Sequence, residues 1–311
     1  PNTNLVAVGF KNGEIKLYDW QSKTEGDSLI VTQKNLCQDN PDKPEDTKPY
    51  DSDRVYDLVF SEDGQFLYSA HGSGRILKWD LTKGNNSVIC LQGIQNNTVT
   101  AITLVEQNGK SFLVAGGRRN HLELLDINKK NDEPVQTLLP VMNPTIPVRS
   151  YDHIVTVDSP AEWPSIVVAG NDQGTITLLD INNCSSTNCP KESWQQAHGE
   201  TAVRSVSFSE DGCYLSSAGD DGQVKLWPMN DLNNIEENNN AIKQDYILRQ
   251  SRRRFSWHPF QLRPVNTVDL LKTSKKLFIV SGGKDQQLRR QHKSISDLNK
   301  YFSDHNCQSP Q

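Results

Sequence analysis

One pattern recurs six times along the 311-residue chain, and it constrains the fold more than any other feature of the sequence. Each copy has a short apolar run, a polar turn, an alternating apolar run and, in most copies, an aromatic residue or leucine followed by aspartate. The copies begin at Leu5, Phe66, Phe112, Ile166, Tyr214 and Leu277. Their turns align at Gly13, Gly74, Asn120, Gly174, Gly222 and Gln286. Such self-similarity indicates one supersecondary unit repeated along the chain.

Each copy predicts a β-hairpin. Its first run is almost entirely apolar, as in a strand buried on both faces, and its second run alternates. A third strand precedes most copies, as in VYDLVF from Val55, and a weaker fourth strand follows several, as in SVICLQ from Ser87. Four antiparallel strands per repeat, without helical periodicity, predict an all-β chain: a β-propeller of four-stranded antiparallel blades. About six blades are visible, which also fits a part of a seven-bladed or larger array.

The same pattern predicts the domain organisation. The propeller is expected to span residues 1–295, with a C-terminal tail at 296–311. Acidic, proline-rich and asparagine-rich segments predict insertions at 36–52 and 230–260. The blade cores are expected near 1–35, 53–92, 97–140, 151–182, 198–229 and 264–292.

These repeats resemble the WD-repeat family of β-propellers. Lys78–Asp80 reads KWD, and Ala197–Trp227 is close to a full consensus repeat. Within a blade of that family, a histidine, a serine or threonine, an aspartate and a tryptophan form a hydrogen-bonded structural tetrad. The resemblance places this tetrad at His198, Ser217, Asp221 and Trp227. The other copies depart from the pattern, so we expect one complete tetrad. A Ser-His-Asp catalytic reading of these residues is disfavoured, because a nucleophile needs exposure and an oxyanion site.

The resemblance implies a non-catalytic protein-interaction scaffold or sensor module that presents propeller turns to a partner protein or peptide. Loop residues on a rigid scaffold carry function more often than core residues do. The turns and strand entries that open on the expected contact face contain Arg54, His71, Arg118, Arg119, Asp152, Asn171, Asp172, Asp220 and Lys284. The end of the chain also resembles the terminal blade of large bacterial multidomain WD-repeat proteins. That likeness implies fusion to an upstream signalling, NTPase or protease-like domain.

Composition narrows the remaining classes. The net charge is −5, which argues against a general nucleic-acid binder. No apolar run approaches the about 18 residues of a membrane span. The six cysteines are thinly spread, so we expect reduced thiols, a cytoplasmic protein and no zinc site. No nucleotide-binding, metalloprotease or esterase motif occurs, so no cofactor and no metal are expected.

Two alternatives stay open at this stage. A propeller enzyme or small-ligand binder would gather reactive groups at the channel mouth, where the first strands carry Asp57, Thr156, Ser205 and Thr267. Alternatively, an anionic partner would bind the basic stretch that contains Arg249, Arg252, Arg253 and Arg254, next to aromatic residues.

Overall fold

The computed structural model describes most of the predicted repeat cores. The described residues are 4–19, 21, 28–31, 54–83, 88–91, 98–107, 109–118, 121–128, 136–140, 153–163, 165–184, 191–194, 197–229, 246–250 and 264–302. They form antiparallel sheets whose strands pair in chain order, and each sheet is one blade of a β-propeller.

The blades are numbered in chain order. The first blade comprises β1 (Leu5–Gly9), β2 (Ile15–Asp19) and β3 (Ser28–Val31). The second comprises β4 (Val55–Phe60), β5 (Phe66–His71), β6 (Ile76–Asp80) and β7 (Val88–Leu91), and the third β8 (Val99–Gln107), β9 (Lys110–Gly117), β10 (His121–Asp126) and β11 (Gln136–Pro140). The fourth comprises β12 (Ile154–Asp158), β13 (Ile166–Asn171), β14 (Ile176–Asp180) and β15 (Lys191–Trp194). After β16 (Ala197–Glu200), the fifth comprises β17 (Val203–Phe208), β18 (Tyr214–Gly219), β19 (Gln223–Pro228) and β20 (Tyr246–Gln250). The sixth comprises β21 (Val265–Lys272), β22 (Lys276–Gly283) and β23 (Leu288–Ser294), followed by helix α1 (Ile295–Tyr301).

The apolar core lies between the blades. Each buried cluster combines side chains from two consecutive blades, and we call such an interface a seam. At the seam between the fourth and fifth blades, for example, Ile166 and Val168 pack with Val206 and Trp227. Both faces of an inner blade are therefore buried, which explains why β13 and β18, the second strands of the fourth and fifth blades, are buried at every position. The innermost strands β4, β8, β12, β17 and β21 pack in succession around the channel.

Three features differ from the sequence expectation. Strand β20 lies inside the predicted insertion 230–260, and β15 lies between two predicted blade cores. Each is the outermost strand of its blade, separated from its partner by a long connection, so local spacing did not reveal it. The predicted tail begins as a packed helix, because Leu298 and Phe302 are buried against Tyr214 and the sixth blade.

The cysteines also differ from expectation. Cys90, Cys184 and Cys213 are each disulfide-bonded, and none of the described cysteines is free. The predicted reduced thiols are therefore wrong for these three residues. The cytoplasmic expectation loses the observation on which it rested, because persistent disulfides are typical of oxidising compartments.

Candidate functional site: the turn face of the propeller

The fifth blade contains a complete tetrad, in which His198, Ser217 and Trp227 are buried and Asp221 is partly exposed. The Nδ1 atom of His198 lies 2.9 Å from Oδ1 of Asp221, and its Nε2 atom lies 2.7 Å from Oγ of Ser217. The indole Nε1 of Trp227 donates to the same Ser217 oxygen at 2.9 Å. With Nδ1 protonated toward Asp221, the Ser217 hydroxyl donates to Nε2 and accepts from the indole, which satisfies all four groups.

A glycine makes room for this histidine. A Cβ atom at Gly219 would lie 2.6 Å from Nδ1 of His198. Ser217 has no solvent exposure, and its oxygen is engaged by two partners. A hydroxyl in this state is not available as a nucleophile. The tetrad therefore braces the fifth blade from within.

The second blade contains a similar hydrogen-bond network, but its histidine comes from a different position in the backbone. His71 occupies the end of β5, where Gly219 ends β18 in the fifth blade. Its Nε2 lies 2.9 Å from Oγ of Ser69, and Trp79 Nε1 donates to the same oxygen at 2.9 Å. His71 is only 2% exposed. The sequence expectation that His71 is a surface contact residue is wrong; it is a structural residue.

The innermost strands of the second to sixth blades each contain a β-bulge at the same place. The first residue of the strand pairs with the neighbouring strand, the next has no opposite residue, and pairing resumes at the third. The extra residues are Tyr56, Thr100, Val155, Arg204 and Asn266. We call them the bulge ring. A bulge re-aims a side chain, and these five lie at the rim of the channel on the turn face, where the innermost strand begins and the second strand turns into the third.

Sequence reasoning missed the bulge ring, although the sequence carries a signal for it. In a regular strand buried on one face, apolar residues recur at every second position. Here they stand at the first and fourth positions instead, which adds one residue between them. The pairs are Val55 and Leu58, Val99 and Ile102, Ile154 and Val157, Val203 and Val206, and Val265 and Val268.

Two members of the bulge ring have defined charged neighbours. The guanidinium of Arg54 lies 5.7 Å from the ring centre of Tyr56, and Tyr56 is 46% exposed. Nε of Arg204 donates to Oδ1 of Asp220 at 2.8 Å, and this bond raises the pKa of Arg204. The turn face therefore offers an aromatic–cation pair on the second blade and an ion pair on the fifth.

The other predicted contact residues divide into three groups. Arg118 and Lys284 are exposed on turns, and Oδ1 of Asp172 accepts the His153 amide at 3.0 Å at the rim. Asn171 is buried, and its Oδ1 braces the turn by accepting the Thr175 amide at 2.8 Å, so it is not the contact residue that the sequence suggested. Arg119 and Asp152 lie outside the described residues.

The basic stretch is described only at its beginning. The backbone of Arg249 pairs with Val224 in β20, so Arg249 belongs to a blade and not to the solvated insertion that was expected. Arg252, Arg253 and Arg254 lie outside the described residues.

Polar side chains on the channel side join consecutive blades. The free edge of an innermost strand carries amide groups without a ladder partner, and these need an acceptor. Oδ2 of Asp57 accepts the Ile102 amide at 2.8 Å, and Oδ2 of Asp158 accepts the Phe208 amide at 2.7 Å. Oγ1 of Thr156 and Oγ of Ser205 each accept from the following blade at 3.2 Å, from Val206 and Val268 respectively. We call these bonds inter-blade clasps.

Burial raises the proton affinity of two of the carboxyl groups that form these clasps. Desolvation raises the pKa of Asp57 to about 6, and it raises the pKa of Asp158 to about 7, with a smaller contribution from the negative charge of Asp269. Asp269 accepts the Ser207 hydroxyl at 2.9 Å. Raised carboxyl pKa values occur at active sites. Here, however, both oxygens of Asp57 already accept backbone amides, from Leu58 and Ile102, which gives the group a structural use.

Two features are absent from the part of the chain that the structure describes. No group of three or more His, Cys, Asp or Glu side chains there is placed to hold a metal ion. None of the helices in the described ranges combines the length and the apolar character that crossing a bilayer requires.

Comparison with known proteins agrees with this architecture. The family model described as WD domain, G-beta repeat, matches residues 46–80 and 189–228. Two segments of the chain therefore match the WD repeat, and the fold is a β-propeller. The second match covers the blade that holds the complete tetrad, and the first covers most of the blade that holds the His71 variant. No curated protein matches the sequence.

Solved structures of other propellers align with nearly the whole chain. The crystal structure of Chaetomium thermophilum Sqt1 bound to the N-terminus of the ribosomal protein L10 aligns with a TM-score of 0.60 at 15% identity, covering 93% of this propeller and 68% of that chain. A chain in the crystal structure of the mitotic checkpoint complex aligns with a TM-score of 0.62 at 16% identity, covering 93% and 73%. At these identities the likeness shows the fold alone.

Proposed function

We propose that this WD-repeat propeller is a non-catalytic protein-interaction scaffold that presents its turn face to a partner protein or peptide. The bulge ring carries this proposal. A bulge interrupts the ladder, yet the same one-residue insertion recurs in five blades at the rim of the channel. Bulges that recur at one place are features that aim side chains, and not defects.

The chemistry of the turn face supports the same proposal. Tyrosine and arginine are enriched at the energetic centres of protein interfaces. Tyr56 and Arg204 are both exposed, and both are held by the backbone of an innermost strand. Sqt1, which has the same fold, was solved with a peptide segment of a ribosomal protein bound.

The polar groups on the channel side fit a scaffold better than an enzyme. Its carboxylates Asp57 and Asp158 accept backbone amides from the following blade. A general acid or base must instead reach the substrate proton. These hydrogen bonds give both carboxyl groups a structural role, which is to join consecutive blades.

A pull-down with mass spectrometry tests the proposed function. The bait is the chain with Tyr56→Ala and Arg204→Glu together, compared with wild type. The matched control is Tyr18→Ala with Arg290→Glu, which changes the same residue types at exposed positions on the first and sixth blades. We expect the partner to be lost in the turn-face variant and retained in the control, with unchanged circular dichroism in both. A partner that binds both variants equally, or a wild-type chain that captures none, would overturn the proposal.

A further inference from the structure

The disulfide-bonded cysteines lie at alternate seams of the propeller. Cys90, in β7, packs against the cluster between the first and second blades, which contains Leu17 and Trp79. Cys184, just after β14, packs against the cluster between the third and fourth blades. Cys213, between β17 and β18, belongs to the cluster between the fifth and sixth blades.

The two intervening seams are built differently. The cluster between the second and third blades and that between the fourth and fifth contain only aliphatic and aromatic side chains and methionine among the described residues. Trp163, Trp227 and Met229 fill the latter seam. In the described part of the propeller, disulfide-bonded and disulfide-free seams therefore alternate.

This pattern has a physical consequence for a repeat fold. Each blade contacts only its neighbours, so stability is divided among the interfaces between repeats. A disulfide restricts the chain around it and opposes local opening. Disulfides form and persist where the surroundings are oxidising, and they are rare where cellular thiols keep cysteines reduced.

We propose that this propeller matures and works in an oxidising compartment, where its disulfides clamp alternate seams, and that reduction loosens those seams selectively. Each bond forms when two cysteine thiols give up two electrons and two protons. The electrons pass by thiol–disulfide exchange to the disulfide of an oxidoreductase, which leaves as a dithiol. Reduction by a small dithiol reverses the reaction.

The oxidation state is tested on the full chain in the cells that make it. Acid quenching, denaturation and labelling with a maleimide, before and after reduction, report each cysteine by mass spectrometry of its peptide. We expect Cys90, Cys184 and Cys213 to be unlabelled before reduction and labelled after it. Labelling of these three cysteines before reduction would overturn the proposal.

The seam selectivity is tested with 5-fluorotryptophan and ¹⁹F NMR. Trp79 reports the seam beside Cys90, whereas Trp163 and Trp227 report a seam without a cysteine. Resonances are assigned with single Trp→Phe variants. We expect Cys90→Ser to shift or broaden the Trp79 resonance and to leave those of Trp163 and Trp227 in place. Reduction of the wild-type chain should change Trp79 in the same way.

The matched variant is Cys184→Ser, which should leave Trp79 unchanged because Cys184 lies at another seam. An unmoved Trp79 in the Cys90→Ser chain would contradict the clamp. Equal movement of Trp79 and Trp227 in that chain would also contradict it, because the disulfide would then act on the whole fold.

Discussion

The carboxylate of Asp158 accepts the backbone amide of Phe208 across the seam between the fourth and fifth blades, at 2.7 Å. Burial raises the pKa of this carboxyl from 3.8 to about 7, so the fold prefers its protonated form. In the unfolded chain it ionises near 3.8. The contribution of Asp158 to stability is therefore complete below 3.8 and is lost as the pH rises to about 7.

Asp158→Asn should consequently stabilise the protein at pH 8 and have little effect at pH 4. The amide oxygen still accepts from Phe208 and carries no charge. The pKa difference corresponds to an upper limit of about 4 kcal/mol, and partial solvation in the channel reduces the expected gain to about 1–2 kcal/mol. Urea unfolding at the two pH values measures it. Asp63→Asn is the control with the opposite sign, because the Ser61 hydroxyl lowers the pKa of the Asp63 carboxyl. An equal effect of Asp158→Asn at both pH values would refute the assignment.

Moving the histidine of the fifth blade from position 198 to position 219, which matches His71, tests whether the hydrogen-bond networks of the second and fifth blades are equivalent. Gly219→His alone should be severely destabilising, because its Cβ would lie 2.6 Å from His198. His198→Ala alone should cost about 2–4 kcal/mol, because it leaves a cavity and removes the imidazole that bonds buried Ser217 and partly exposed Asp221. The double variant should be more stable than the sum of the two single effects predicts. Chemical denaturation of all four proteins gives the coupling free energy, and strict additivity would show that the networks are unrelated.

The backbone is strained at Gln286, in the turn between β22 and β23, and a substitution there can relieve the strain. Gln286 has a φ of 58°, whereas the matching residue of the fifth blade, Gly222, has a φ of 74°. A left-handed backbone costs a residue with a Cβ about 1 kcal/mol relative to glycine. Gln286→Gly should therefore raise the free energy of unfolding by about 0.5–1 kcal/mol, and Gly222→Gln should lower it by at least as much. Thermal unfolding measures both, and a destabilised Gln286→Gly would contradict the prediction.

The C-terminal helix should contribute to stability through its inner face alone. Leu298 is 2% exposed in the cluster that joins the fifth and sixth blades, whereas Tyr301 on the same helix is 50% exposed. Leu298→Ala should cost about 2–4 kcal/mol. Tyr301→Ala is the matched control and should change stability by less than about 1 kcal/mol. Similar losses in the two variants would mean that the helix packs differently.

Much of this architecture follows from the sequence, and the exceptions have physical reasons. The hairpins depend on local sequence, so the pattern of apolar residues predicted them. The tetrad of His198 and Asp221 belongs to a family motif, so the resemblance to WD repeats located it. Strands β15 and β20 follow long connections, and their pairing depends on a partner already in place. His71 was misread because a histidine at the end of a strand fills either a surface or a core position, and only the geometry around Ser69 decides between them. The disulfides depend on distances across the fold, which the cysteine spacing does not encode.

The inter-blade clasps all point the same way around the ring. Asp57, Thr156, Asp158 and Ser205 each accept from the blade that follows in sequence. Each of these acceptors is therefore synthesised before the backbone amide that donates to it. The clasps thus give the ring of blades a polarity that follows the chain from the amino terminus onward, which its repeating blades alone would not provide.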